Sequence, residues 1–188
     1  MFTVKRAVAQ EKSFMKGLSV LLLVLSGAVM AADCSNPNIT SSTDESIEFT
    51  INQDGTVTDN TTKLQWMRCA LGQTWNQEQL LCSGITTAYS WVDGLNAVKN
   101  FNAGAGFAGN KDWRMPNIAE LRSIVEDCNS EPSINIALFP NTPALKFWSA
   151  STYAGLASNA WLVDFDQGRD NFELKSNRNV LRLVRIAD

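Results

Sequence analysis

The 188-residue chain contains no histidine. That excludes Ser-His-Asp and Cys-His nucleophiles and any imidazole metal site. It contains no C-x-x-C unit, so its four cysteines do not have the spacing of a zinc knuckle or a dithiol redox centre. Glycine is too scarce, at 11 residues, for a fibrous or low-complexity protein. Positive charge is also in deficit: 16 Lys and Arg face 19 Asp and Glu, a formal net charge of -3. A general nucleic-acid binder is normally basic, so no nucleic-acid partner is expected. What is present is 45% apolar residues, enough at this length to bury one globular core.

The first 31 residues read as a signal peptide. Lys5, Arg6, Lys12 and Lys16 precede an apolar run from Leu18 to Val29, and Val29 and Ala31 are small residues placed before a cut ahead of Ala32. The run falls short of the roughly 20 apolar residues that span a bilayer, so no membrane span is expected after cleavage. The alternative is an uncleaved anchor. Met15-Lys16 opens a compact signal by itself, so Met1 and Met15 both stand as starts. Cys34 follows Asp33 and lacks the small-residue box of a lipid-modified cysteine. Cleavage removes four basic residues and one acidic one, leaving 12 and 18 and a net charge of -6. The expected location is outside the cytoplasm: periplasm, cell surface or secreted.

An even cysteine count in an exported chain reads as two disulfides. Of the three pairings, Cys69–Cys82 closes a short loop and Cys34–Cys128 ties the N-terminal arm to the middle of the chain. Those two are expected. Residues 32–46 form a polar arm rich in Ser, Thr and Asn, with sequons at Asn38 and Asn60. Residues 47–188 read as a single domain.

Apolar-polar alternation predicts strands at Ile47–Ile51, Thr56–Thr58 and Lys63–Met67, with Asp54-Gly55 as a hairpin turn. A helix is predicted from Tyr89 to Phe101, capped by Thr87, with Trp91, Leu95 and Val98 on its buried stripe; Gly94 there implies close packing. A second helix opens at Pro116-Asn117, where Asn117 and Glu120 form a capping box. The chain beyond Cys128 looks strand-like, with strands at 147–151, 160–165, 172–175 and 180–186. Strands, two helices and more strands give an α+β domain.

Several motifs have both a functional and a structural reading. Gly104-Ala105-Gly106-Phe107-Ala108-Gly109 matches G-x-G-x-x-G but follows a helix, so it reads as a loop and not as a dinucleotide site. Asp164, Asp166 and Asp170 around Gly168 resemble a calcium loop without the EF-hand order, and a hairpin turn is the favoured reading. Glu120, Glu126, Asp127 and Glu131 offer carboxylates for a His-free glycoside hydrolase, but Glu120 reads as a cap and Glu126-Asp127 as a solvated helix exit. Of the six tryptophans, Trp91 and Trp161 fall on buried faces, and Trp75, inside the disulfide loop, is the one expected to be exposed. Arg169, Lys175, Arg178, Arg182 and Arg185 concentrate positive charge near the C-terminus, with Arg182 and Arg185 on opposite sides of a strand.

Landmarks in order are Asp54-Gly55-Thr56-Val57-Thr58-Asp59, Leu64-Gln65-Trp66-Met67-Arg68-Cys69, Asp112-Trp113-Arg114-Met115-Pro116, Glu120-Leu121, Phe139-Pro140, Phe147-Trp148-Ser149 and Val180–Arg185. This order resembles the Lcl C-terminal domain family over about Gly55 to Ile186. The resemblance implies a C-type-lectin-like α+β fold, two helices on small antiparallel sheets, and an envelope or secreted location. The name-giving adhesin of that family binds sulfated glycosaminoglycans and is trimeric through its collagen-like stalk. This sequence has no such stalk and lacks the calcium-dependent sugar motifs of animal lectins, so fold and class carry over but no sugar-coordinating residues do. Arg114 in the signature is expected to hold the neighbouring loop by bonding backbone carbonyls.

The expected function is therefore that of a non-catalytic envelope binding module, not an enzyme, for a glycan or an envelope protein. Trp75, Arg169, Lys175 and Arg178 are its candidate ligand-binding residues, and no metal or cofactor is called for. The alternatives are a structural or assembly subunit of an envelope machine and, behind it, a carboxylate-dependent glycoside hydrolase.

Overall fold

A four-stranded antiparallel sheet carries the N-terminal part of the domain and the chain end. In this computed structural model, which describes residues 48–188, the strands are β1 (Phe49–Ile51), β2 (Thr56–Asp59), β3 (Leu64–Met67) and β9 (Val184–Ile186), in that order across the sheet. Asp54-Gly55 makes the β1–β2 turn as its sequence predicts. Gly55 sits at φ +86°, where a side chain is strained, and Asp54 accepts hydrogen bonds from the Thr56 amide and hydroxyl. Alternation gives the sheet two distinct faces. Val57, Trp66 and Val184 are aligned across three strands and point into the core. Thr50, Thr58, Gln65 and Arg185 are aligned across all four strands on the other face. The signal segment, the polar arm, Cys34 and Asn38 lie outside the described residues.

A two-stranded ribbon, β4 (Thr74–Asn76) with β5 (Leu81–Ser83), is closed by the Cys69–Cys82 disulfide. That is the one disulfide with both cysteines among the described residues. Cys128 is also disulfide-bonded, and no described cysteine is free. Cys34, the partner expected for Cys128, is among the residues not described.

The helix expected at 89–101 runs from Trp91 to Ala103 (α1). Ser90, not Thr87, caps it, accepting from the Asp93 amide at 3.2 Å, because the helix begins at Trp91 and Ser90 is the residue directly before its first turn. Gly94 faces inward as expected: a Cβ there would come within 3.2 Å of Leu181. Leu95 is a correction, since it is exposed, and the inward stripe runs through Gly94 and Val98. The second helix is a short one, α2 (Ile118–Arg122), with the full Asn117–Glu120 capping box.

A second antiparallel sheet follows, β6 (Lys146–Thr152), β7 (Asn159–Asp164) and β8 (Arg169–Leu174), with β8 at its edge. The segment expected to be strand-like after Cys128 contains turns instead. Pro132, preceded by a cis peptide bond, Pro140 and Pro143 interrupt any ladder there. The strand expected over 180–186 pairs regularly only from Val184. Residues 180–183 run between two cores. Val180 and Val184 join a cluster with Trp66, Leu121, Phe139, Phe147 and Phe165, while Leu181 and Leu183 join one with Val98, Trp113, Trp148 and Leu162. The alternation is real, but both faces of the segment are buried. Trp66, Trp113 and Trp148 are fully enclosed, each contributing about 3 kcal/mol of burial. Trp91 and Trp161, expected in the core, are only half-buried.

Candidate functional site

An apolar trough of about 680 Å³ opens where three distant segments meet. The end of β1 and its turn (Ile51, Asn52, Gln53) form one wall, the tip of the β4–β5 ribbon (Gln77, Glu78, Leu80, Leu81) another, and Ile136, Ala137 and Pro140 the third. Ile51, Leu80, Leu81 and Ile136 are all exposed, Ile136 by 62%. Large apolar side chains left in water side by side mark an interaction surface more often than chance exposure does.

Arg68, only 4% exposed, also lines the trough. Its Nε donates to the Leu138 carbonyl at 2.8 Å and its Nη2 to the Ala137 carbonyl at 2.7 Å, and its guanidinium lies 4.6 Å from the centre of the Trp75 ring. Among the described residues it makes no ion pair. Burial pushes its pKa down, yet a guanidinium stays charged at neutral pH. The trough therefore combines aliphatic walls with a buried guanidinium that makes no ion pair among the described residues, with Glu78 on the ribbon wall of the same trough.

The Asp112–Pro116 motif sits elsewhere, and its charges are used internally. Arg185 Nε donates to Asp112 at 2.8 Å, its Nη1 to Gln65 and its Nη2 to Asp188. The bond from Arg185 holds the Asp112 carboxyl below its usual value. Trp113 is buried, and its indole N–H donates to the Phe107 carbonyl. Arg114 meets Glu120 in a two-pronged pair, both contacts 2.7 Å, and this partner holds Glu120 below the usual carboxylate range. The carbonyl-bonding role expected for Arg114 is thus secondary, limited to a 3.4 Å contact with Met115. Glu120 also accepts from the Asn117 amide at 2.7 Å. Arg182 is fully enclosed. It donates to the Met67 and Arg68 carbonyls and to Thr142 Oγ1, and lies against the Phe139 and Phe147 rings. Burial without an anionic partner lowers its pKa to about 9, so it is cationic at pH 7. Each charged signature residue thus has a partner or an enclosing bed that ties one segment to another.

A family model, the Lcl C-terminal domain, matches residues 55–185. The chain belongs to that family. No curated protein matches it. The interlocked residues from Asp112 to Arg185 fall within the matched span of the Lcl C-terminal domain.

The four candidate ligand residues are not gathered into one place. Trp75 is half-buried, contrary to the exposure expected of it. Its ring covers Gly55, where a Cβ would sit 2.6 Å from Trp75 Cγ. It flanks the trough through Arg68 and through a 3.4 Å bond from its indole N–H to the Gln53 carbonyl. Lys175 lies over the Trp91 ring at 4.4 Å and donates to the Ala157 carbonyl at 2.9 Å. Arg178 donates to the Ala88 carbonyl and lines a separate cleft of about 540 Å³ with Lys146, Asp164 and Asp166. Arg169 is exposed on β8. Of the wider basic group, Arg182 and Arg185 are buried, which removes both from any surface patch.

The carboxylates considered for hydrolysis are spread out. Glu120 belongs to Arg114, Asp127 pairs with Arg122 at 2.8 Å, and Glu131 is exposed at a positive φ. Asp164 accepts from the Asp166 amide at the β7–β8 turn, and Asp170 faces Arg122 at 3.7 Å. Among the described residues no group of three or more acidic or cysteine side chains is placed to hold a metal, and no helix is long and apolar enough to cross a membrane. The G-x-G-x-x-G loop follows α1 and folds into a tight turn, with the Phe107 and Asn110 backbones bonded to each other.

Sequence reasoning missed the trough. Leu80, Leu81 and Ile136 fall in stretches without usable periodicity, and Arg68 reads as an ordinary surface cation beside a cysteine. The weak signal was two adjacent leucines at the end of the polar run Asn76–Gln79 inside the disulfide-closed loop.

Proposed function

We propose that the mature chain is an exported, non-catalytic binding module of the cell envelope that recognises a protein segment through the trough. The observation that carries this reading is the buried Arg68, without an ion pair among the described residues, in a bed of exposed aliphatic side chains. The occupant that fits is a peptide stretch presenting an apolar side chain beside a carboxylate. Aliphatic walls favour this over a sugar, which stacks on exposed aromatic faces. The exported location rests on the N-terminal signal pattern, and the lectin-like overall shape on the family. The non-catalytic reading is supported by the internal use of Glu120 and Asp127.

A glycan is the second reading. It is favoured by a polar cleft of about 670 Å³ across the Thr50–Thr58–Gln65–Arg185 face, lined by Asn52, Asp54 and Asp188. The two readings separate when the purified mature chain and its Ile136→Glu and Leu81→Glu variants are applied to immobilised envelope protein and to a glycan array. Retention on the protein surface that both variants lose, at unchanged melting temperature, supports the proposal. Retention untouched by either variant, or binding confined to glycans and abolished by Thr58→Ala, contradicts it.

A further inference from the structure

The outer strand of the second sheet, β8, is an open edge. Five of its six residues are exposed, including Phe172 at 40% and Leu174 at 50%. Among the described residues nothing pairs with its outer side. It carries no proline and no bulge, and it pairs with β7 in unbroken register from Arg169 to Leu174. Natural edges are blunted by proline, bulges or charge, and of these β8 has only charge, in Arg169, Asp170 and Glu173, so its backbone stays open to another strand.

We infer that β8 pairs antiparallel with the β8 of a second copy of this chain, about a two-fold axis passing through Asn171. The register follows from the residues. In a two-fold antiparallel pair, a residue whose amide points outward must face another of the same kind, so the axis passes through a residue and not between two. Two such registers give the longest overlap of β8 with itself. An axis through Phe172 places Arg169 opposite Lys175, like charge against like. An axis through Asn171 places Arg169 opposite the second copy's Glu173, twice by symmetry, which is the attractive arrangement. Of the shorter registers, axes through Arg169, Asp170 and Glu173 each set a charged residue against itself, and an axis through Leu174 leaves only that one residue of β8 overlapping.

The side chains are disposed accordingly. Arg169 makes no ion pair among the described residues and is free to cross to the second copy. Glu173 already holds Lys146 at 2.6 Å through Oε1, and its Oε2 accepts only from the amides of Asn177 and Asn179. A second cation is therefore added to a carboxylate that is fixed in place. On the other face, Phe172 is stacked on Tyr153 at 4.0 Å with Trp161 edge-on to both. In this register the two Phe172 rings are diagonal neighbours, a spacing aromatic side chains bridge, so the two aromatic clusters become one. A single strand edge is a small interface, which places the pair in the weak, concentration-dependent class.

The test is a cysteine placed on the axis. Asn171→Cys brings two Cα atoms to a separation of about 5 Å, within disulfide range, whereas Phe172→Cys does not in this register. Under mild oxidation the mature Asn171→Cys chain should convert to a covalent dimer, and Phe172→Cys should remain largely monomeric. Sedimentation of the wild type up to millimolar concentration should show reversible dimerisation. Arg169→Glu should weaken it roughly tenfold or more without altering the circular dichroism spectrum. A monomeric wild type over that range, equal cross-linking of the two cysteine variants, or dimerisation indifferent to Arg169→Glu overturns the proposal.

Discussion

Glu120→Gln separates the two duties of one carboxylate. Glu120 accepts the Asn117 amide, closing the capping box of α2, and takes both prongs of Arg114. Glutamine keeps an oxygen for the amide but gives up the ion pair. The pair is partly open to water, with 41% of the Arg114 side chain and 17% of Glu120 exposed. Its loss therefore belongs near the upper end of surface pairs, about 1 kcal/mol. Removing the cap as well, in Glu120→Ala, adds about another 1 kcal/mol. The pH dependence supplies the check. Arg114 holds the folded Glu120 pKa below its ordinary 4.5, so the stabilisation is fully present above about 4.5 and is lost as pH falls through the folded value. Urea unfolding with the disulfides intact should show Glu120→Gln about 1 kcal/mol less stable than wild type at pH 7, and the gap should close near pH 2. An equal gap at both pH values would mean that the loss is one of packing, not charge, and the reasoning fails.

Three further outcomes are expected. Gly55→Ala forces a side chain into φ +86° and against Trp75, so a loss of about 2–4 kcal/mol should appear in thermal or chemical melts. Replacing both Cys69 and Cys82 with Ser opens a loop of sequence separation 13 and should cost about 3 kcal/mol in urea titrations. Arg182→Met leaves the Met67 and Arg68 carbonyls without their donor; a loss of about 3 kcal/mol or more, or failure to fold, should be visible by circular dichroism.

What the sequence made legible was local. The Asn117–Glu120 box, the Asp54-Gly55 turn and the inward Gly94 are decided within a few residues by capping, turn and packing chemistry, and each stands in the structure. Arg182 was harder to read. Its alternation with Leu181 and Leu183 is correct, but alternation does not tell whether the second face meets water or a second core. Thr87 gave way to Ser90 because the helix begins only at Trp91, after Thr87 and Tyr89 have bonded to the backbones of Leu71 and Asn179. The trough was least legible of all, since its walls come from β1, the β4–β5 ribbon and the 136–140 turn, which only tertiary packing brings together.

An interlocked network of charged residues holds the fold, and the trough is the surface proposed to meet a partner. Hydrogen exchange on residues 32–188, with and without a protein captured from envelope extract, tests that division directly. Protection should appear at residues 51–53, 78–81 and 136–140. Protection centred on Asp112 to Glu120, with the trough unchanged, would contradict it.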